Sequence, residues 1–236
     1  MEEFLTPVFW SAVAQIVIID ILLGGDNAVV IALACRNLPP AQRKKGILWG
    51  TAGAIVLRVV LIAFAVTLLK VPFLKLVGGV LLLWIGVKLL VPDHEGDGHG
   101  NLQGGTTLMS AIRTIIVADF VMSLDNVIAI AGAAQSAHAS HQLSLVIFGL
   151  LVSIPLIIWG STLVLRLIDR YPIVITLGGA LLGWIAGGMI VTDVAVVEYF
   201  GAPSASAKIA AEVAGAVLVV ALGKMLAARR VPRTNA

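Results

Sequence analysis

The sequence predicts an all-α integral membrane protein of seven transmembrane helices, built as a 3+3 inverted-topology repeat with one extra helix. Three observations carry this expectation. Of the 236 residues 59% are hydrophobic and only 12% are charged, about half the charged share of an ordinary soluble chain. The apolar runs recur at lengths near the roughly 20 residues that a helix needs to cross a bilayer. A polar motif of two aspartates and an asparagine occurs twice inside those runs, 99 residues apart.

Seven spans are expected, at 8–35, 46–69, 72–92, 107–134, 143–167, 172–192 and 207–227. Each reads as a helix, because a helix satisfies its own backbone hydrogen bonds in lipid and no run alternates as a barrel strand does. The first follows Met1, Glu2 and Glu3, with neither a basic leader nor a small-residue cleavage site, so it is expected to stay in the mature chain. It ends at Cys35, the single cysteine, which excludes an internal disulfide and a thiolate metal cluster. The connection "RNLPPAQRKK" leads to the second span, which carries Arg58 near its centre. The third contains "GGVLLLWIG" and leads to the acidic, Gly-rich "PDHEGDGHGNLQGG". The fourth holds the second polar motif, and the fifth follows "AQSAHASHQ". The sixth has Gly179, Gly183 and Gly187 on one face, a pattern for close helix packing. After "TDVAVVEYFGAPSASA" comes the seventh, which carries Glu212 near its outer part. The chain is expected to form one transmembrane domain over 1–236, with repeat A at about 8–92, repeat B at about 107–192 and the extra helix at about 207–227.

Basic residues near span ends are retained in the cytoplasm. Twelve lysines and arginines fall on the face of the first, third, fifth and C-terminal connections and three on the other, Arg58 being inside a span. The expectation is a multi-pass plasma (inner) membrane protein with its N-terminus outside and its C-terminus cytoplasmic. A net charge of +3 is too small to suggest nucleic acid.

Asp20, Asp26 and Asn27 return as Asp119, Asp125 and Asn126. The correspondence continues with Pro72 and Pro172, Gly78-Gly79 and Gly178-Gly179, Trp84 and Trp184, and Asp93 and Asp193. Three spans per half is an odd number, so the second half enters the membrane from the opposite side. An inverted repeat of this kind brings equivalent positions together near mid-depth. A carboxylate there costs about 2.5 to 3.5 kcal/mol on insertion scales, so four unpaired ones would cost on the order of 10 kcal/mol. They must face a partner or water, and duplication of the whole unit favours a shared site. On a regular helix Asp20 and Asn27 share a face and Asp26 is turned about 120° away. Gly24-Gly25 would let both acids of the first copy face one cavity if the helix unwound there, and close helix packing is the alternative role for that pair.

Four carboxylates and two amides form an all-oxygen donor set suited to hard divalent cations such as Mg²⁺, Ca²⁺ and Mn²⁺. Clustered acids repel one another when empty, so protons are a reasonable counter-ion. Arg58 needs an anion at its depth, and one of the site aspartates in the unloaded protein is the expected partner. Glu212 is a further candidate for charge pairing or coupling. His94, Asp97 and His99 in one loop, and His138 and His141 in another, suggest no complete ligand set.

"GGDNAVVIA" with "SLDNVIAIA", the basic loop after the first span and the "GGVLLLWIG" segment resemble the TerC family of integral membrane proteins, in its YjbE-type branch, within the wider LysE-like exporter group. The resemblance covers roughly residues 8 to 227. It implies a seven-span protein linked to manganese efflux and, by name, to resistance to tellurium compounds. It also implies that Asp20, Asp26, Asn27, Asp119, Asp125 and Asn126 are metal ligands, with Mn²⁺ as the transported ion and no tightly bound cofactor. The partners implied are the lipid bilayer, a divalent cation and protons, with no nucleic acid and room for a homo-oligomer. Two other functions compete: an exporter of amino acids or other small solutes, and a non-transporting membrane partner in metal or tellurium-compound resistance. An intramembrane aspartyl peptidase is disfavoured, because its GxGD turn would need glycine where Leu23 stands; no enzymatic activity is expected.

Overall fold

A computed structural model of the chain describes residues 7–64, 68, 71–91, 107–135 and 142–230. Eight helices are formed by these residues: α1 (Pro7–Cys35), α2 (Pro40–Ala63), α3 (Leu74–Leu90), α4 (Leu108–Gln135), α5 (Gln142–Arg170), α6 (Ile173–Val191), α7 (Val194–Phe200) and α8 (Ala205–Arg230). No strand occurs among the described residues. Among the described residues four stretches are long and apolar enough to cross a bilayer: Pro40–Ile62, Ile147–Arg170, Ile173–Val191 and Ala205–Arg229. Trp49, Val56, Trp84, Trp159 and Leu177 each leave more than half their surface uncovered. Outward-facing aromatic and branched side chains of this size suit a lipid surround.

Two expected boundaries are corrected. The second helix begins at Pro40, six residues before the expected 46, because proline at the first helical position loses no hydrogen bond and presets φ. The N–H groups of Gln42 and Arg43 both reach the Pro39 carbonyl. The same helix ends at Ala63 instead of 69, so Arg58 stands five residues from its end and not at its centre. The connection after α6 is not all loop: Val194–Phe200 form the short helix α7. Asp193 starts it, accepting a hydrogen bond from the Ala195 N–H at 2.8 Å.

The helices fall into two groups. α1, α2, α4 and α5 pack on one another, while α3, α6 and α8 form a second group. α1 against α6, α5 against α6 and α3 against α4 join the two. Contact order along the chain gives each helix a direction. Trp10 meets Phe148 edge to face at 6.0 Å, and further along Ala28 lies under Gly160, so α1 and α5 run the same way. Gly46 faces Leu108 and Gly53 faces Ile116, so α2 and α4 are also parallel. Gly79 faces Ile190 while Gly179 faces Leu90, which makes α3 and α6 antiparallel.

Absent side chains set the closest approaches. A Cβ at Gly183 or Gly187 would collide with the backbone carbonyl of Gly215 or Ala211 on α8. Here only glycine allows the helices to touch backbone to backbone. Below the polar centre of the first group lies an apolar cluster of Ile31, Leu33, Cys35, Leu38, Ile47, Ile115, Leu165 and Ile168. At one end of this group Arg43 donates to the carbonyls of Arg36 and Leu38 beyond the end of α1. It also pairs with Asp169 of α5 at 2.9 Å, an exposed pair of small energetic weight.

Candidate functional site

Gly50 and Gly53 let α2 lie close to α4, where Ile115 and Ile116 fill the space that their side chains would take. One and two turns further along, this contact brings Arg58 beside Asp119. The Arg58 Nη2 donates to Asp119 Oδ1 at 2.6 Å and its Nε donates to Ser123 Oγ at 3.2 Å. Ser123 in turn donates to Asp119 Oδ2 at 3.2 Å. Arg58 is only 2% exposed and Asp119 5%. A buried pair of this kind gains little net stability, but removing one partner costs about 3–5 kcal/mol because the other charge is stranded.

Across the cavity from Asp119 stands Asn27 of α1. A small cavity of about 10 Å³ is lined by Asn27, Val30, Ile31, Ile115 and Asp119. Asn27 is 4% exposed, and among the described residues neither its Nδ2 nor its Oδ1 has a hydrogen-bond partner. An unmet buried amide costs roughly 1–3 kcal/mol. The Thr51 hydroxyl on α2 is likewise buried and without a partner. Asp26 is partly buried, and its Oδ1 accepts from the Asn27 backbone N–H at 2.8 Å.

The expected unwinding at Gly24-Gly25 does not occur. α1 stays helical through both residues, and among the described residues a Cβ on Gly25 would meet nothing within 4 Å. Asn27 and Asp26 therefore keep the regular helical angle between them.

Of the residues singled out from sequence, the structure gathers Asn27, Asp119 and Arg58 at one place, with Asp26 adjoining. Asp20 lies in α1, and Asp125 and Asn126 lie in α4; their side chains are outside the described residues. Among the described residues no group of three or more His, Cys, Asp and Glu is close enough to hold a metal ion. Glu212 stands on the α6–α8 seam, where its carboxylate would touch a side chain at Gly188 and pairs with Lys208 at 3.8 Å. Asp93, His94, Asp97, His99, His138 and His141 lie outside the described residues.

Sequence reading passed over the role of Asp193, whose match to Asp93 was its only signal. Asp193 is fully buried. Its carboxylate accepts from the N–H groups of Phe73, Lys75 and Leu76 at the start of α3, and from Ala195 at the start of α7. Phe73 holds a left-handed φ of 65°, which aims its N–H at that carboxylate. Burial alone would raise the Asp193 carboxyl, but the donors from Leu76, Ala195, Phe73 and Lys75 outweigh it and hold it below the usual carboxylate range.

The chain is 48% identical over 178 residues to the uncharacterized membrane protein YjbE of Bacillus subtilis (strain 168), covering 75% of this chain and 78% of that one. It is 26% identical over 192 residues to the uncharacterized membrane protein YceF of the same organism, covering 78% and 72% of the two chains. With the inner membrane protein YoaE of Escherichia coli (strain K12) it shares 29% identity over 197 residues, 75% of this chain and 36% of the longer relative. No solved structure matches it. A family model described as the integral membrane protein TerC family matches residues 5–231. With that match across nearly its whole length, the chain belongs to the TerC family of integral membrane proteins.

Proposed function

We propose that this protein is a transporter that exports a hard divalent cation, Mn²⁺, from the cytoplasm through a mid-membrane site. Its ligands are Asp20, Asp26 and Asn27 of α1 and Asp119, Asp125 and Asn126 of α4. The observation that carries this reading is the Asn27 amide, buried without a partner over a cavity that it shares with Asp119. Such an amide is kept at an energetic cost, and a cation that coordinates its oxygen relieves the acceptor's share of that cost. Oxygen donors suit Mn²⁺, Mg²⁺ and Ca²⁺ better than softer ions.

The size of the cavity favours an ion over an organic solute. At about 10 Å³ it is near the roughly 10–15 Å³ that one water-sized occupant needs. An amino acid is several times larger. The proposed counter-ion is the proton, and Arg58 holds Asp119 when no cation is bound.

In this reading all seven long helices cross the inner membrane as an inverted repeat followed by α8, with the N-terminus outside. Its support lies in the packing: α1 pairs with α5 as α2 pairs with α4. The contacts of Gly79 with Ile190 and of Gly179 with Leu90 are equivalents under the repeat, whose spacing slips from 99 residues at the polar motifs to 100 from Pro72 and Pro172 onward.

Metal uptake into inside-out vesicles containing the purified protein tests the function. Mn²⁺, Ca²⁺, Mg²⁺ and Zn²⁺ are compared with and without a proton gradient. Mn²⁺ accumulation that disappears in Asp20→Asn and Asp119→Asn is the expected result. Movement of an organic solute, with no divalent cation moving under any gradient, would replace this reading with the solute exporter. Absence of any flux would favour the non-transporting partner.

A further inference from the structure

We infer that Arg58 is a tethered competitor of the transported cation: its guanidinium and the ion occupy Asp119 in turn, so Arg58 weakens binding and drives release. The inference rests on the cation reading above and adds a regulatory element to that site.

Both oxygens of Asp119 are engaged, Oδ1 by the Arg58 guanidinium and Oδ2 by the Ser123 hydroxyl. The same residue lines the cavity under Asn27. Each oxygen keeps a second lone pair, but a cation that sheds water to enter that cavity meets an Asp119 carboxylate whose charge the guanidinium already offsets at 2.6 Å. It would also stand within a few ångströms of a guanidinium in a poorly screened interior, where like charges repel strongly. Guanidinium and divalent ion therefore compete for the one Asp119 charge.

The arrangement occurs on one half only. Under the 99-residue shift Arg58 corresponds to Ile157 and Ser123 to Gly24, so the equivalent place on α5 carries a buried aliphatic side chain. The tethered charge acts on the α4 carboxylate and leaves the α1 half without an equivalent. A cation held by both halves loses its α4 ligand when Arg58 returns, and release follows. If the ion pair merely fastened α2 to α4, removing Arg58 would weaken the fold and with it every function of the site.

The test measures Mn²⁺ binding by titration calorimetry and Mn²⁺ flux in vesicles, using the full chain. Arg58→Gln is expected to bind Mn²⁺ about tenfold more tightly or better, since a resident charge is removed, while its maximal flux falls by a similar factor. Tighter binding with slower turnover is an outcome that loss of a structural tie would not produce. If Arg58→Gln does not accumulate, Ser123→Ala decides. It keeps both charges and removes the hydroxyl that holds Nε, so Mn²⁺ affinity is expected to rise about two- to fivefold. Mn²⁺ binding that is unchanged or weaker in the variants that accumulate overturns the inference and leaves the cation reading standing. Failure of the wild-type protein to bind Mn²⁺, Ca²⁺ or Mg²⁺ overturns both.

Discussion

A carboxylate buried among apolar helices persists only where donors meet its lone pairs, and Asp119 and Asp193 are met in different ways. Asp119 is held by a side-chain cation and a hydroxyl, whereas Asp193 is held by four backbone N–H groups. Asp193→Ala would leave three donors at the start of α3 unmet, so a loss of about 1–3 kcal/mol is expected. Thermal unfolding of the detergent-solubilised protein measures it. The folded carboxyl lies below its unfolded value, near 3.9. Its stabilisation is therefore complete above that value and is lost only as pH falls through the lower, folded one. Between about pH 5 and 8 the gap between wild type and Asp193→Ala should stay constant; a gap that shrinks across that window would contradict this account. For the proposed ligands, Asp26→Asn and Asp125→Asn are each expected to abolish Mn²⁺ movement while the protein still accumulates. Flux in vesicles and immunoblotting of membranes check the two halves of that statement. Disappearance of both variant proteins from the membrane would point to a structural role.

Helix seams set where these residues stand. On α6, Gly183 and Gly187 face backbone carbonyls of α8, which no rotamer change can move aside. Gly187→Ala is expected to force α8 away from α6 and to lower the amount of protein in the membrane. Gly25→Ala is its counterpart, since a methyl there meets open space and alanine gains about 0.5–1 kcal/mol over glycine in a helix. Its accumulation should equal or exceed wild type. Quantifying both variants in membranes, together with their thermal unfolding in detergent, tests the contrast. Equal accumulation of Gly187→Ala and wild type would show that the seam has slack that the static structure lacks.

Across the whole molecule, helix directions and the distribution of charge bear on the same question. α1 runs with α5 and α2 with α4, as successive reversals of the chain require. Lysine and arginine cluster on the first, third, fifth and C-terminal connections, and residues of this kind are retained on the cytoplasmic side. Reporter fusions after Asn37, after Ser136 and at the C-terminus should therefore read inside, outside and inside. Reversal at any two of these sites would discard both the orientation and the repeat-based geometry of the proposed site.

Hydropathy and charge are local properties, so the sequence by itself determined the membrane class, the long helices and the two polar motifs that no lipid-facing surface could tolerate. It also required an anion for Arg58, because a guanidinium between apolar helices cannot be left alone. Only the tertiary structure decided that the anion is Asp119, 61 positions away, since that depends on how closely Gly50 and Gly53 let two helices approach. It decided that α2 ends at Ala63, which nothing in the apolar run marks. It left Gly25 facing open space, where the sequence suggested unwinding or packing. It also placed Asp193 under the start of α3, more than a hundred residues earlier in the chain. Such pairings follow from the rotation and depth of whole helices against one another. Those are set by the sum of many small packing contacts, and no short stretch of sequence encodes them.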